Sequence, residues 1–387
     1  MTTPSLANKI VLAIESVIGD NRPAVPHEPE FHELEKKFVL DCVESGWVSS
    51  VGEYVDLFEQ KLVEYTGISH AVATINGTSA LHAGLYALGI SSEHEVLVPA
   101  LTFVGTVNPI SFLGATPHFV DCHEKNLGID PEKLNLYLES IAVLKHGKCI
   151  NRRTGRIISA MIVVHVLGIP ASIVKLSEIA TKWHITLIED AAESLGSWSN
   201  QMHTGSWGKF STLSFNGNKV ITTGGGGAIL TNDAELAKRL KHLTTTAKQP
   251  HAWLFSHDET AFNYRLPNIN AALGCAQLEQ LQYFLDKKHR LHVLYHQAFS
   301  KMKNLIFLQQ EDHLICNHWL NHIRVKDSEM RDAVLEIARK RDIHLRPLWT
   351  PINQLPMYRS MPKADLTATQ KAFQQVICLP SSSRLIQ

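Results

Sequence analysis

The chain carries no surplus of either charge: 37 Lys and Arg stand against 37 Asp and Glu in 387 residues. It therefore offers no net field to draw in nucleic acid or an anionic membrane. No apolar run reaches the length that a membrane-spanning helix needs. Cysteine is sparse: Cys42, Cys122, Cys149, Cys275, Cys316 and Cys378 are scattered, with no C-x-x-C pair. That argues against a disulfide framework and a zinc site, and fits a reducing compartment. Among 21 histidines, His289, His292 and His296 share helical spacing. Their hydrophilic neighbours suggest a solvated face rather than a metal site, and no metal is expected. Internal repeats and low-complexity segments are missing too. Met1-Thr2-Thr3-Pro4-Ser5 lacks a basic segment leading into an apolar stretch, so no secretory signal is read and a cytoplasmic location is expected.

What is present is an alternation of strand-type and helix-type segments. Helix spacing runs over residues 5–18, over 30–45 and over 54–65, with Pro23, Pro26 and Pro29 marking an extended connector between the first two. The polar-aromatic stretch Gly46-Trp47-Val48-Ser49-Ser50-Val51-Gly52 reads as a loop, either plain turn chemistry or a rim contact with a substrate. Strands are expected at 71–75, 95–99, 116–121, 161–166 and 185–190, each followed by a helix or a glycine-marked turn. The span 145–156 reads as a polar, mobile insertion. A long helix is expected from Pro267 to about Gln297, ahead of a smaller alternating unit. This pattern predicts an α/β fold whose mostly parallel sheet is covered on both faces, with right-handed crossovers. The boundaries expected are 1–30 for an N-terminal helix and connector, 31–250 for a large domain and 251–387 for a smaller C-terminal domain.

The chemistry gathers between Ile185 and Leu230. The apolar run Ile185-Thr186-Leu187-Ile188 ends in Glu189-Asp190-Ala191-Ala192-Glu193, an acid delivered at a strand's C-terminal edge, where open α/β sheets place ligands. Ser211 to Lys219 then carries one lysine into a loop followed by Gly224 to Gly227, leaving room for a flat group beside an amine. Singly, Lys219 is an ordinary surface charge, Asp190 an N-cap and the glycines a turn. In this order at successive strand ends they suit pyridoxal phosphate, which needs a lysine amine and an acid for its ring nitrogen. Upstream, Asn76-Gly77-Thr78-Ser79 turns a strand into a helix with small residues and hydroxyls, a phosphate cup or an ordinary cap. Phe103, just past another strand end, is either a stacking ring or core.

These residues resemble the DegT/DnrJ/EryC1/StrS family of sugar-nucleotide aminotransferases of fold type I. The segments carrying the likeness are Asn76 to Leu81, Val98 to Val104, Glu189 to Glu193, Ser214 to Lys219 and Phe262-Asn263-Tyr264-Arg265, in the family's order. Within it the chain looks closest to the LegC-type group, through Gly46 to Gly52, Gly224 to Gly227, Leu243 to Lys248 and Leu266 to Gly274. The resemblance implies a pyridoxal 5'-phosphate enzyme, passing through pyridoxamine phosphate. It would move an amino group from an amino acid, usually Glu, to C4 of a nucleotide-linked 4-keto-6-deoxy-N-acetylhexosamine, toward legionaminic-acid-like or bacillosamine-type sugars. By the same likeness Lys219 is the Schiff-base lysine and Asp190 the partner of the ring nitrogen, with Phe103 covering the ring. Gly77, Thr78, Ser79 and Ser214 would hold the phosphate, and Asn263 would reach in from the other subunit of a homodimer. Glu193 and Asn216 stand near the cofactor where many relatives carry other residues. Elimination or dehydration on a nucleotide sugar, and a non-catalytic regulatory relative, are the alternatives.

Overall fold

A computed structural model describes residues 3–302, 305–307 and 313–386; Met1 and Thr2, part of the N-terminus read above, lie outside them. The central sheet takes β1 (His70–Thr74), β2 (His94–Pro99), β3 (Thr116–Val120), β4 (Ala142–Lys145), β5 (Lys148–Asn151), β6 (Ile157–Val164) and β7 (Thr186–Asp190). The short β8 (Trp198–Ser199) and β9 (Met202–His203) leave it, and β10 (Ser211–Ser214) and β11 (Gly227–Thr231) return to it. Its order is β1-β11-β10-β7-β6-β2-β3, with β5 paired to β6 and β4 to β5. The pairings from β10 through β7, β6 and β2 to β3 are parallel. The expected parallel sheet is thus the middle of a mixed one: β11 runs antiparallel to both β1 and β10.

Strand faces follow the two-residue period. In β2, Val96 and Val98 join the core under α4 (Gly77–Ala87) and α5 (Val104–Phe112), while Leu97 faces the layer of α6 (Pro131–Ile141) and α7 (Ile173–Lys182). Both faces of the strand are buried, which is why it reads as a continuous apolar run.

Two segments differ from their sequence reading. Residues 145–156, expected as a mobile insertion, include the turn and second strand of the β4–β5 hairpin. His146 and Gly147 take φ of 52° and 75° at its tip, the left-handed geometry of a tight two-residue turn. Buried Glu95 anchors it, accepting from Asn151 Nδ2 at 2.9 Å and Thr154 Oγ1 at 2.5 Å. The expected helix from Pro267 is two, Asn268–Glu279 and Leu281–Phe299, broken at Gln280. Gln280 Nε2 donates to Glu35 Oε1 at 2.6 Å, so a buried acid on the helix Glu33–Ser45 pins the bend.

A second sheet, β12 (Ile306–Phe307), β14 (His322–Arg324), β16 (Val376–Cys378) and β15 (Arg346–Pro347) in that order, forms the smaller unit; β13 (Leu314–Ile315) pairs instead with β8. The N-terminal helix Thr3–Ile18 packs Ile10 and Ile14 into this unit's core, against Leu291, Ile323 and Val334. Among the described residues no helix is long and apolar enough to cross a membrane.

Candidate active site

The C-terminal ends of β7 and β10, with the turns after β1 and β2, bring most of the expected residues together. Asp190 is the last residue of β7 and is buried. Thr106 Oγ1 donates to its Oδ2 at 2.7 Å, and the Ala192 N–H to its Oδ1 at 3.1 Å. Because the Thr106 proton is committed there, the 2.8 Å contact between Thr102 and Thr106 has Thr102 as donor. Thr102, just ahead of α5, and Thr106, in its first turn, thus aim the carboxylate together.

Lys219 lies past the end of β10, its N–H donating to the Asn216 carbonyl at 3.0 Å. Its Nζ sits 4.1 Å from the centre of the Trp319 ring and 3.7 Å from Glu193 Oε1. Burial lowers the pKa of this amine, and the Arg346 charge lowers it further against the opposing pull of Glu193 and Asp190. Glu193 is itself buried, which raises its pKa, and its Oε2 accepts from the Leu167 N–H at 2.8 Å. Burial acts on both partners against separated charges and favours the neutral amine.

The turn expected to hold a phosphate is built from backbone. Asn76 caps α4, accepting from the Ser79 N–H at 2.8 Å, and Gly77 and Thr78 open the helix. Gly227 at the start of β11 lies so close that a Cβ there would stand 2.6 Å from the Gly77 nitrogen, so the end of the glycine run serves close packing. The Gly225 position, by contrast, opens on empty space. Ser214 lies against Gly77, whose hypothetical Cβ would meet the Ser214 Cβ at 3.2 Å. Phe103 caps α5 and stays 53% exposed, a large ring with nothing laid on it. A Cβ on Gly105 would meet both the Phe103 ring and Thr78 Oγ1, so a larger residue there would displace those two side chains. A buried acid, a buried amine, an uncovered ring and a helix N-terminus that a Cβ would crowd fit pyridoxal phosphate.

Two expected residues stand apart. Asn216 is exposed and donates to Asn218 Oδ1 at 3.1 Å. Asn263 is exposed on a strip beside β1, where Arg265 bridges Thr74; its Oδ1 accepts from Arg265 Nε at 3.1 Å and Nη2 at 3.0 Å.

Sequence reasoning missed Thr106, Trp319 and Arg346. Thr106 had a local signal, four residues past Thr102 in a segment already singled out. Trp319 and Arg346 are 100 or more residues from Lys219 in the chain and had none. Trp319 is set by its Nε1–H donating to the Asn218 carbonyl at 2.6 Å, with Arg346 5.7 Å from its ring centre. Of the three histidines read as a solvated face, His289 is exposed, but His292 is half-buried: it stacks on His318 at 3.9 Å between ring centres and bonds Asn321 Oδ1 at 2.9 Å.

This fold and donor set define a fold type I pyridoxal phosphate enzyme. Residues 29–387 match the DegT/DnrJ/EryC1/StrS aminotransferase family, and the chain belongs to it. It is therefore a pyridoxal-phosphate-dependent aminotransferase. It is 35% identical to a GDP-perosamine synthase of Escherichia coli O157:H7, over 86% of each chain. Among solved structures it resembles a DegT DnrJ EryC1 StrS aminotransferase from Brucella abortus, at 26% identity and a TM-score of 0.83 over 91% of each chain. It also resembles Helicobacter pylori PseC, an aminotransferase of pseudoaminic acid biosynthesis, at 25% identity and a TM-score of 0.82, covering 93% of this chain and 94% of that one.

Proposed function

We propose that this enzyme transfers an amino group from an amino acid, Glu being the expected donor, to C4 of a nucleotide-linked 4-keto-6-deoxy sugar for a surface polysaccharide. The observation carrying this reading is the buried Lys219 amine, beside Glu193 and across from an Asp190 aimed by Thr106. The relatives named for GDP-perosamine and pseudoaminic acid support an amino sugar as product. The likeness of Gly46 to Gly52 and Leu266 to Gly274 to the LegC-type group favours an N-acetylated hexosamine on a legionaminic-acid or bacillosamine route. Six buried free cysteines are in keeping with a cytoplasmic site of action.

Bound pyridoxal phosphate supplies an electrophilic carbon and an electron-accepting ring. Asp190 would hold a proton at its ring nitrogen, and Phe103 would cover the ring. Gly77, Thr78, Ser79 and Ser214 would hold its phosphate. Lys219 Nζ, whose charged form burial disfavours, would remove the Cα proton of the donor, and in the second half-reaction the same amine would deliver a proton to C4 of the sugar. Trp319 lies over the amine, and Glu193 stands 3.7 Å away as its nearest carboxylate.

The test is an assay with UDP- and GDP-linked 4-keto-6-deoxy sugars and Glu, with product stereochemistry by NMR. Glu alone should accumulate the pyridoxamine form of the cofactor. Elimination of the sugar without that accumulation would replace this reading with a dehydratase.

A further inference from the structure

Strand β14 sends its side chains two ways. Ile323 enters the small-unit core, so His322 and Arg324, one residue to either side, face the opposite direction. They line a cleft of about 920 Å³ between the smaller sheet and the loops after β3, β6 and β7. None of the ten residues expected at the cofactor site lines it.

Arg324 is 8% exposed and His322 7%, yet Arg324 Nε and His322 Nε2 have no hydrogen-bond partner. Buried polar atoms are normally satisfied, so two orphans on one wall mark a place where a polar ligand is missing. Arg324 is only partly engaged otherwise. Its Nη2 donates to the Glu124 carbonyl at 2.7 Å, while the Glu124 carboxylate stands 3.9 Å from Nη1 and is shared with Lys371. Lys125 and Lys175 stand exposed on the rim of the same cleft, Lys175 with Glu132 at 3.6 Å, so Arg324 is the one buried cation of its wall.

A second wall is aromatic. His318 and His292 are stacked at 3.9 Å, and Phe307 lies 4.9 Å from the His292 ring centre. Burial drives both imidazoles well below their ordinary pKa, His292 to about 4, so they are uncharged; packed face to face, they leave ring edges for the cleft. Apolar side chains of Ile169, Ile173 and Leu314 complete the lining.

A guanidinium with a spare donor suits a phosphate, and neutral ring edges suit the face of a heteroaromatic base. We propose that this cleft is a second binding site, separate from the Lys219 site, for a nucleoside diphosphate: base against the ring edges of His318, His292 and Phe307, phosphates toward Arg324. Its volume holds such a ligand with room for water. A ligand there would touch both the large sheet's loops and the smaller unit, bracing one against the other.

The test counts sites. Cofactor-loaded enzyme is titrated calorimetrically with UDP and GDP, alongside Arg324→Met. The variant should lose one nucleotide equivalent per chain, from two to one if the Lys219 site also binds the nucleotide, and from one to none if it does not. The cofactor's absorbance reports that the fold is kept. Should Arg324→Met fold poorly, Lys125→Glu reverses an exposed rim charge and should weaken the same equivalent several-fold. Unchanged stoichiometry and affinity in the folded variants would overturn the proposal. Pyrophosphate binding as tightly as UDP and GDP would also overturn it, since the aromatic wall would then contribute nothing.

Discussion

Two lysines touch Trp319, and they are kept for opposite reasons. Lys288, with no exposed surface, donates to the Trp319 carbonyl at 3.1 Å and the Ser381 carbonyl at 2.6 Å. Lys219 lies over the Trp319 ring, with its nearest carboxylate oxygen at 3.7 Å, beyond hydrogen-bond reach. Burial lowers the pKa of both, that of Lys288 to about 7. A buried amine with two good acceptors ties parts of the fold together. One left without close acceptors is ready to react. The residue type is shared, Lys288 is the more deeply enclosed, and the partners decide the role.

The largest effect should come from removing the reactive member. Lys219→Ala should retain its melting temperature and still bind the cofactor, but lose turnover by about 10⁴-fold or more. Near-normal transamination by this variant would erase the distinction between the two lysines. Asp190→Asn should keep the fold and slow turnover by about 10³-fold, since a neutral amide cannot hold the ring nitrogen protonated. A loss under about tenfold would remove Asp190 from the reaction.

Lys288→Met should do the reverse, leaving turnover per folded molecule within a few-fold and altering stability. The folded-state pKa of Lys288 is depressed, so the unfolded chain binds more protons between pH 7 and the ordinary 10.5. Wild-type stability should therefore rise with pH through that window, by about 3–5 kcal/mol from this one group, relative to the Met variant. Denaturant titrations at pH 7 and 9.5 check this. Equal slopes for the two proteins would mean that the carbonyls hold Lys288 charged throughout.

The smallest and most conditional effect concerns Asn263, which we propose enters the partner's site in a two-fold dimer. Asn263→Ala should impair turnover. After verified subunit exchange, mixing it with inactive Lys219→Ala should restore activity, because one hybrid site has both intact residues. A monomer in sedimentation, or mixtures that stay inactive, would return Asn263 to the surface strip where Arg265 holds it.

Neighbouring acids show why some of the site was legible and some was not. Glu189 and Asp190 are adjacent, and both are buried at the end of β7. Glu189 is saturated by His165 Nε2 at 3.0 Å and by the N–H groups of Gly205, Trp207 and Gly208 at 2.7–2.8 Å. Burial pushes its pKa up, but these bonds outweigh that and hold it below the ordinary carboxylate range. His165 Nδ1 accepts from the Ala171 N–H at 3.1 Å, so the ring is committed as a donor to Glu189. Nothing in the string Glu189-Asp190 says which acid is structural, because the answer lies in the partners that each face of the strand meets.

The sequence by itself determined the strand–helix alternation, the places where strands end, and the small residues, acid and lysine at those ends. These are local matters, set by hydrophobic period and by turn chemistry, and a linear string records them. Only the tertiary structure decided that β11 reverses the sheet's edge, that Gln280 breaks a helix against Glu35, and that Trp319 faces Lys219 from 100 positions away. It also decided that Arg324 opens onto a cleft with its Nε–H unspent. Each of these depends on which surfaces meet after folding, and side-chain spacing along one strand or helix carries no record of the partner across the gap.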